Sequence, residues 1–135
     1  MKKFTVPTRD QVSENNKAVF DHFQKAIGMM PNLYALMAHS ENGLINYVAL
    51  QSGKSSLRAK EREAINLVVS QVNGCIYCQS AHTVIGKMNG FTDEQVIEIR
   101  KGSAAVDPKL DALVKLVKSI TENKGRADSA LVDNF

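Results

Sequence analysis

Cys75 and Cys78 are the two cysteines of the chain, and they stand as an isolated Cys-x-x-Cys. His82 follows Cys78 by four residues, and Glu63 precedes Cys75 by twelve. A lone pair of thiols at this spacing reads as redox or metal chemistry, not as a disulfide scaffold. On a helix, at about 100° per residue, Cys75, Cys78 and His82 fall within a sector of about 60°. Both thiols and the imidazole then face one way, with Cys78 and His82 at the i,i+4 separation at which side chains meet. A helix starting at Cys75 also aims free N–H groups and the positive end of its dipole at the sulfurs. That favours thiolate, so at least one cysteine is expected to have a lowered pKa.

Two helices are needed to position these four residues. The apolar pattern Ala64, Ile65, Leu67, Val68, Val69 and Val72 predicts a helix over residues 57–73, with Gly74 in the position of a helix-ending glycine. Cys75 begins the next, which runs to Asn89 and stops at Gly90. From Glu63 to Gly74 is about 16 Å of helix, and from Gly74 to His82 about 12 Å. If the two helices fold back on one another, Glu63 can reach His82 but falls short of Cys75. The order carboxylate, imidazole, thiol is that of a base oriented by a third group and acting on a nucleophile.

The remaining elements are helical as well. Ser13 caps a helix whose apolar residues Ala18, Val19, Phe20, Phe23, Ala26 and Ile27 lead to Gly28. Short helical segments cover 33–38 and 42–51. Thr92-Asp93-Glu94-Gln95 has the capping-box form and opens a helix to Lys101, and Asp107-Pro108 opens one over 109–123. Residues 127–135 read as the beginning of one more, with no stop signal after it. The expectation is an all-α chain forming a single domain over 1–135, with helices mostly too short for a simple four-helix bundle.

Composition excludes several classes. Over 135 residues the chain is 44% apolar and 23% charged with net charge +3, a globular balance and not a disordered one. No apolar run approaches the roughly 20 residues of a membrane span. Residues 1–7 hold two lysines but no apolar stretch behind them, so no secretory signal is expected and the cytoplasm is the expected compartment. The 17 basic and 14 acidic residues are interspersed, so neither nucleic acid nor a membrane is expected as a partner. Cys75, Cys78 and His82 supply three N/S ligands where structural zinc takes four, and Gln79 stands where a c-type haem needs histidine. No metal or cofactor is therefore expected. Plain structural alternatives stand beside the chemical ones: small buried apolar residues for the cysteines, a satisfied helix histidine for His82 and a solvated charge for Glu63. His22 and His39 lack partners at useful spacing; Met29, Met30, Met37 and Met88 read as core or interface packing, and Tyr34, Tyr47 and Phe91 as core.

At these spacings Glu63, Cys75, Cys78 and His82 resemble the AhpD-like alkyl hydroperoxidases of the carboxymuconolactone decarboxylase superfamily. The flanking text Lys60-Glu61-Arg62-Glu63-Ala64-Ile65 and Cys75-Ile76-Tyr77-Cys78-Gln79-Ser80-Ala81-His82 carries the resemblance, whose core covers 31–102. It implies an all-α fold, assembly as a trimer or hexamer, and reduction of hydroperoxides as an antioxidant peroxidase. By the same resemblance Cys78 attacks peroxide, Cys75 resolves and faces a dithiol or protein-dithiol reductant, and His82 and Glu63 relay the proton. Tyr77 stands where some members have histidine. Arg58 stands where many have a serine helix cap, which leaves Ser55 or Ser56 to cap, and the family's last helix is expected to be missing. Other readings of the site are a disulfide oxidoreductase or redox sensor using the same cysteines, and a non-redox oligomer that binds a small ligand. A lactone decarboxylase is a further reading, but those relatives do not use such a pair.

Overall fold

The computed structural model describes residues 4–135. Residues 1–3, part of the segment read as lacking a secretory signal, lie outside the described residues. Among the described residues the elements are α-helices and one 3₁₀ turn, Arg9–Gln11. They divide into two compact units, one up to Lys54 and one over Ser55–Phe135. No helix is long and apolar enough to cross a membrane.

The first unit holds α1 (Glu14–Ile27), α2 (Asn32–Met37) and α3 (Glu41–Ser52). Ser13 caps α1 by accepting from the Asn16 N–H, and Ser40 caps α3 by accepting from Gly43. The buried centre is Phe20, Ala35, Ala38 and Leu44. Here the expected apolar face of α1 is corrected. Ala18 and Ile27 are exposed, while Asn16, which the apolar pattern passes over, is fully buried. Its Nδ2 donates to the Ala38 and Ser40 carbonyls at 3.3 and 3.4 Å, so a polar side chain wins the position by satisfying two turn carbonyls. Met29, read as packing, is 56% exposed in the single chain.

In the second unit, α4 (Ala59–Val72) packs against α5 (Ile76–Met88), α6 (Asp93–Lys101) and α7 (Pro108–Glu122), with α8 (Ser129–Asn134) on α7. Its core is Ala64, Leu67 and Val68 from α4, Phe91, Val96 and Ile99 around α6, and Leu110, Leu113 and Val114 from α7. The predicted caps of α6 and α7 are present. Thr92 and Gln95 exchange hydrogen bonds, and Asp107 accepts from the Lys109 and Leu110 N–H groups at 3.1 Å each. Gly86 is buried in α5 against this core: a β-carbon there would sit at ordinary contact distance, 3.4 Å from Leu67 Cδ1 and 3.5 Å from Phe91.

The cap of α4 differs from the expected one. Neither Ser55 nor Ser56 caps it; Arg58 is the N-cap residue, and its N–H donates to Glu61 Oε2 at 2.8 Å. Glu61 is buried, and its Oε1 also meets Arg58 Nη2 at 2.9 Å and Lys109 Nζ at 3.4 Å. A first-turn carboxylate thus accepts the N–H of the N-cap residue, Arg58 makes no serine-like side-chain cap, and two cations make the burial of Glu61 tolerable.

The Arg58 guanidinium, followed by the Arg58 N–H, holds the Glu61 carboxyl down to about 2 from an ordinary 4.5. A depressed folded pKa stabilises the native state above the unfolded value and loses that contribution as pH falls through the folded one. Wild type should therefore melt above Glu61→Gln at neutral pH, and the two should converge between pH 4.5 and about 2. Thermal melts across that range check it; a gap unchanged on acidification would mean that the charge of Glu61 contributes nothing.

Candidate active site

The site forms around the turn between α4 and α5. The Cys75 N–H donates to the Ser70 carbonyl and the Gly74 N–H to the Gln71 carbonyl, each at 3.1 Å. These are the two bonds of a Schellman turn, which places Gly74 in the left-handed region at φ 63°. Cys75 is at once the residue after that turn and the N-cap of α5, where its Sγ accepts the Cys78 N–H at 3.3 Å. Cys75 and Cys78 are joined as a disulfide, with Cα atoms 5.4 Å apart, and both are half-buried.

From this turn α5 runs back along α4. Lys60 Nζ donates to the Gly90 carbonyl at 3.3 Å at the far end, and Gln79 Nε2 donates to the Ser70 carbonyl at 3.2 Å near the turn. Between them His82 Nδ1 lies 2.8 Å from Glu63 Oε2, the contact that the helix lengths allow. The side chains are 26% and 13% exposed, so the pair is shielded from bulk water. A carboxylate only accepts, so Nδ1 carries the hydrogen and Nε2 is the open position of the ring.

All four residues singled out by spacing therefore sit on the facing pair α4–α5. Two supporting residues have no signal in the cysteine spacing. Asn66 Nδ2 donates to Glu63 Oε1 at 3.1 Å and fixes the second carboxylate oxygen; its i,i+3 separation from Glu63 was available as a clue. Gln79 ties α5 to α4 through Ser70 and also accepts from Arg100 Nη2 at 2.6 Å. His22 and His39 belong to the first unit and take no part in this contact set. Among the described residues no group of three or more His, Cys, Asp or Glu is placed to hold a metal ion.

The opposite side of α5 is apolar and uncovered. Tyr77, Val84 and Met88 are 57%, 59% and 81% exposed. At about 100° per residue they form one stripe about 40° wide, turned away from Cys78 and His82.

The family model for the carboxymuconolactone decarboxylase family matches residues 31–122. No curated protein matches the chain.

The half-buried pair should cycle between thiol and disulfide. Titration before and after mild oxidation should show both thiols lost together, and a dithiol should restore both. Thiols that stay free under excess peroxide would show that the pair does not cycle.

Proposed function

The chain belongs to the carboxymuconolactone decarboxylase family, and we propose that within it the protein works as a thiol-dependent hydroperoxide reductase. One observation carries this reading: a disulfide at a helix N-terminus lies one turn from an imidazole held at 2.8 Å by a half-buried carboxylate. In the reduced protein, Cys78 thiolate attacks the outer oxygen of ROOH. The O–O bond breaks, sulfur gains the hydroxyl and becomes sulfenic acid, and ROH leaves with a proton relayed from His82. The Cys75 thiol then condenses with the sulfenic acid, forming the disulfide and releasing water. A dithiol reduces that disulfide by two exchanges through a mixed disulfide at Cys75, leaving as its own disulfide. The balance is ROOH plus dithiol giving ROH, water and disulfide, with no metal or organic cofactor.

Activation comes from two sources in this reading. In the reduced protein the N-terminal N–H groups of α5 and the positive end of its dipole favour thiolate. Glu63 orients His82 through Nδ1, which leaves the other ring nitrogen for proton transfer at the sulfurs. The reading places the protein in the cytoplasm, where dithiols are kept reduced.

Purified protein supplied with an organic hydroperoxide and a dithiol should consume the peroxide, and Cys78→Ser should abolish the reaction. Glu63→Gln and His82→Ala should each lower the rate by about 10²–10⁴-fold. The double variant should cost little more than either, because the pair acts as a unit. Fully additive losses would mean two independent roles. Disulfide exchange without peroxide consumption would instead identify a disulfide oxidoreductase.

The same reading includes assembly as a trimer or hexamer, supported by the uncovered Tyr77–Val84–Met88 stripe. Sedimentation at micromolar concentration should give a multiple of the 14.8 kDa chain, reduced in mass by Met88→Lys. A monomer would exclude it.

A further inference from the structure

An open groove of about 580 Å³ lies between α4, α6 and α7 in the second unit. Arg100 and Lys101 from the last turn of α6, with Lys118 from α7, make one wall basic. Val72 and Ile97, the latter 51% exposed, make the other apolar. One acid shares the groove: the Glu122 carboxylate, 3.9 Å from Lys118 Nζ.

The way the cations are held points to a ligand. Arg100 Nε donates to Gln71 Oε1 at 2.8 Å and Nη2 to Gln79 Oε1 at 2.6 Å. Both acceptors are neutral amides. They orient a half-buried guanidinium without cancelling its charge, and they use two of its five N–H donors. Among the described residues no carboxylate lies within ion-pair distance of Arg100. Lys118 is fixed too. Its stem lies over Gly102, where a β-carbon would collide with Cδ, and its Nζ donates to the Lys101 carbonyl at 3.1 Å. A partly desolvated cation without a counter-ion is costly, and a carboxylate on its free N–H edge removes that cost with charge-assisted, bidentate bonds.

We propose that this groove binds a small amphipathic carboxylate, its charged end on Arg100 with Lys118 beside it and its alkyl part along Val72 and Ile97. The volume is that of a small-molecule site, which typically spans about 300–1,000 Å³. Gln79 directly follows Cys78, so the anchor of the ligand is tied to the helix that carries the disulfide. The site does not depend on the redox reading, since binding needs neither peroxide nor a free thiol.

Calorimetric titration of the full oxidised chain tests it, with hexanoate as probe, hexanamide as its neutral counterpart and inorganic phosphate as an anion without an alkyl part. Hexanoate should bind saturably, and the other two at least about tenfold more weakly. Arg100→Gln should weaken hexanoate by about tenfold or more. Because that variant also releases Gln79, Lys118→Gln provides a second test that leaves the Arg100 contacts in place; about two- to fivefold weakening is expected. Hexanamide binding as well as hexanoate, phosphate binding equally well, or wild-type affinity in both variants would each overturn the proposal, as would the lack of saturable binding.

Discussion

Cys75 closes one helix with its backbone and opens the next with its sulfur, and the geometry of the site depends on that double role. The Schellman bonds to Ser70 and Gln71 leave only Asn73 and Gly74 between α4 and the N-cap of α5. Such a turn needs a left-handed residue, which costs about 1–2 kcal/mol for an ordinary L side chain and little for Gly74. Because the connection is so short, α5 has no freedom to slide along α4. The level at which His82 meets Glu63 follows from the residue count on each side. One inserted residue would rotate His82 by about 100° around its helix and move it out of reach.

A precise register still leaves side chains free to rotate, and here a second layer removes that freedom. Glu63 is held on both oxygens, by His82 and by Asn66. Gln79 holds α5 against the Ser70 carbonyl, and Arg100 holds Gln79 from α6. These bonds form in a partly dry interface, where hydrogen bonds to charged groups are strongest. At the far end of α4, Glu61 caps the helix and joins it to Lys109 of α7. The α4 helix is therefore held at both ends by polar contacts and in the middle by Leu67 and Val68.

Helix α5 divides its surface between two demands. One face carries the sulfurs, His82 and Gly86 toward α4; the other presents Tyr77, Val84 and Met88 outward. The reactive pair sits at the end where these faces meet the helix terminus, half-buried and still open to exchange. A fully buried pair would be closed to thiol exchange, whereas a half-buried one keeps access to solvent.

Much of this was legible in residue order. The all-α class, the caps at Ser13, Thr92 and Asp107, the stop at Gly74 and the approach of Glu63 to His82 follow from local signals. Period, cap chemistry and rise per residue are properties of short stretches of chain. What required the tertiary structure was the identity of polar residues that leave water. Asn16 and Glu61 are polar letters in apolar patterns, and nothing nearby in sequence announces the Ser40 carbonyl that Asn16 Nδ2 meets or the Lys109 ammonium beside Glu61. The guanidinium of Arg100 looks like any helix-end cation until Gln71 and Gln79, from two other helices, converge on it. Local order determined which helices exist and where the reactive residues stand on them. Packing decided which polar groups are buried, because Asn16 needs carbonyls from the turn after α2 and Glu61 adds Lys109 of α7 to the Arg58 guanidinium beside it.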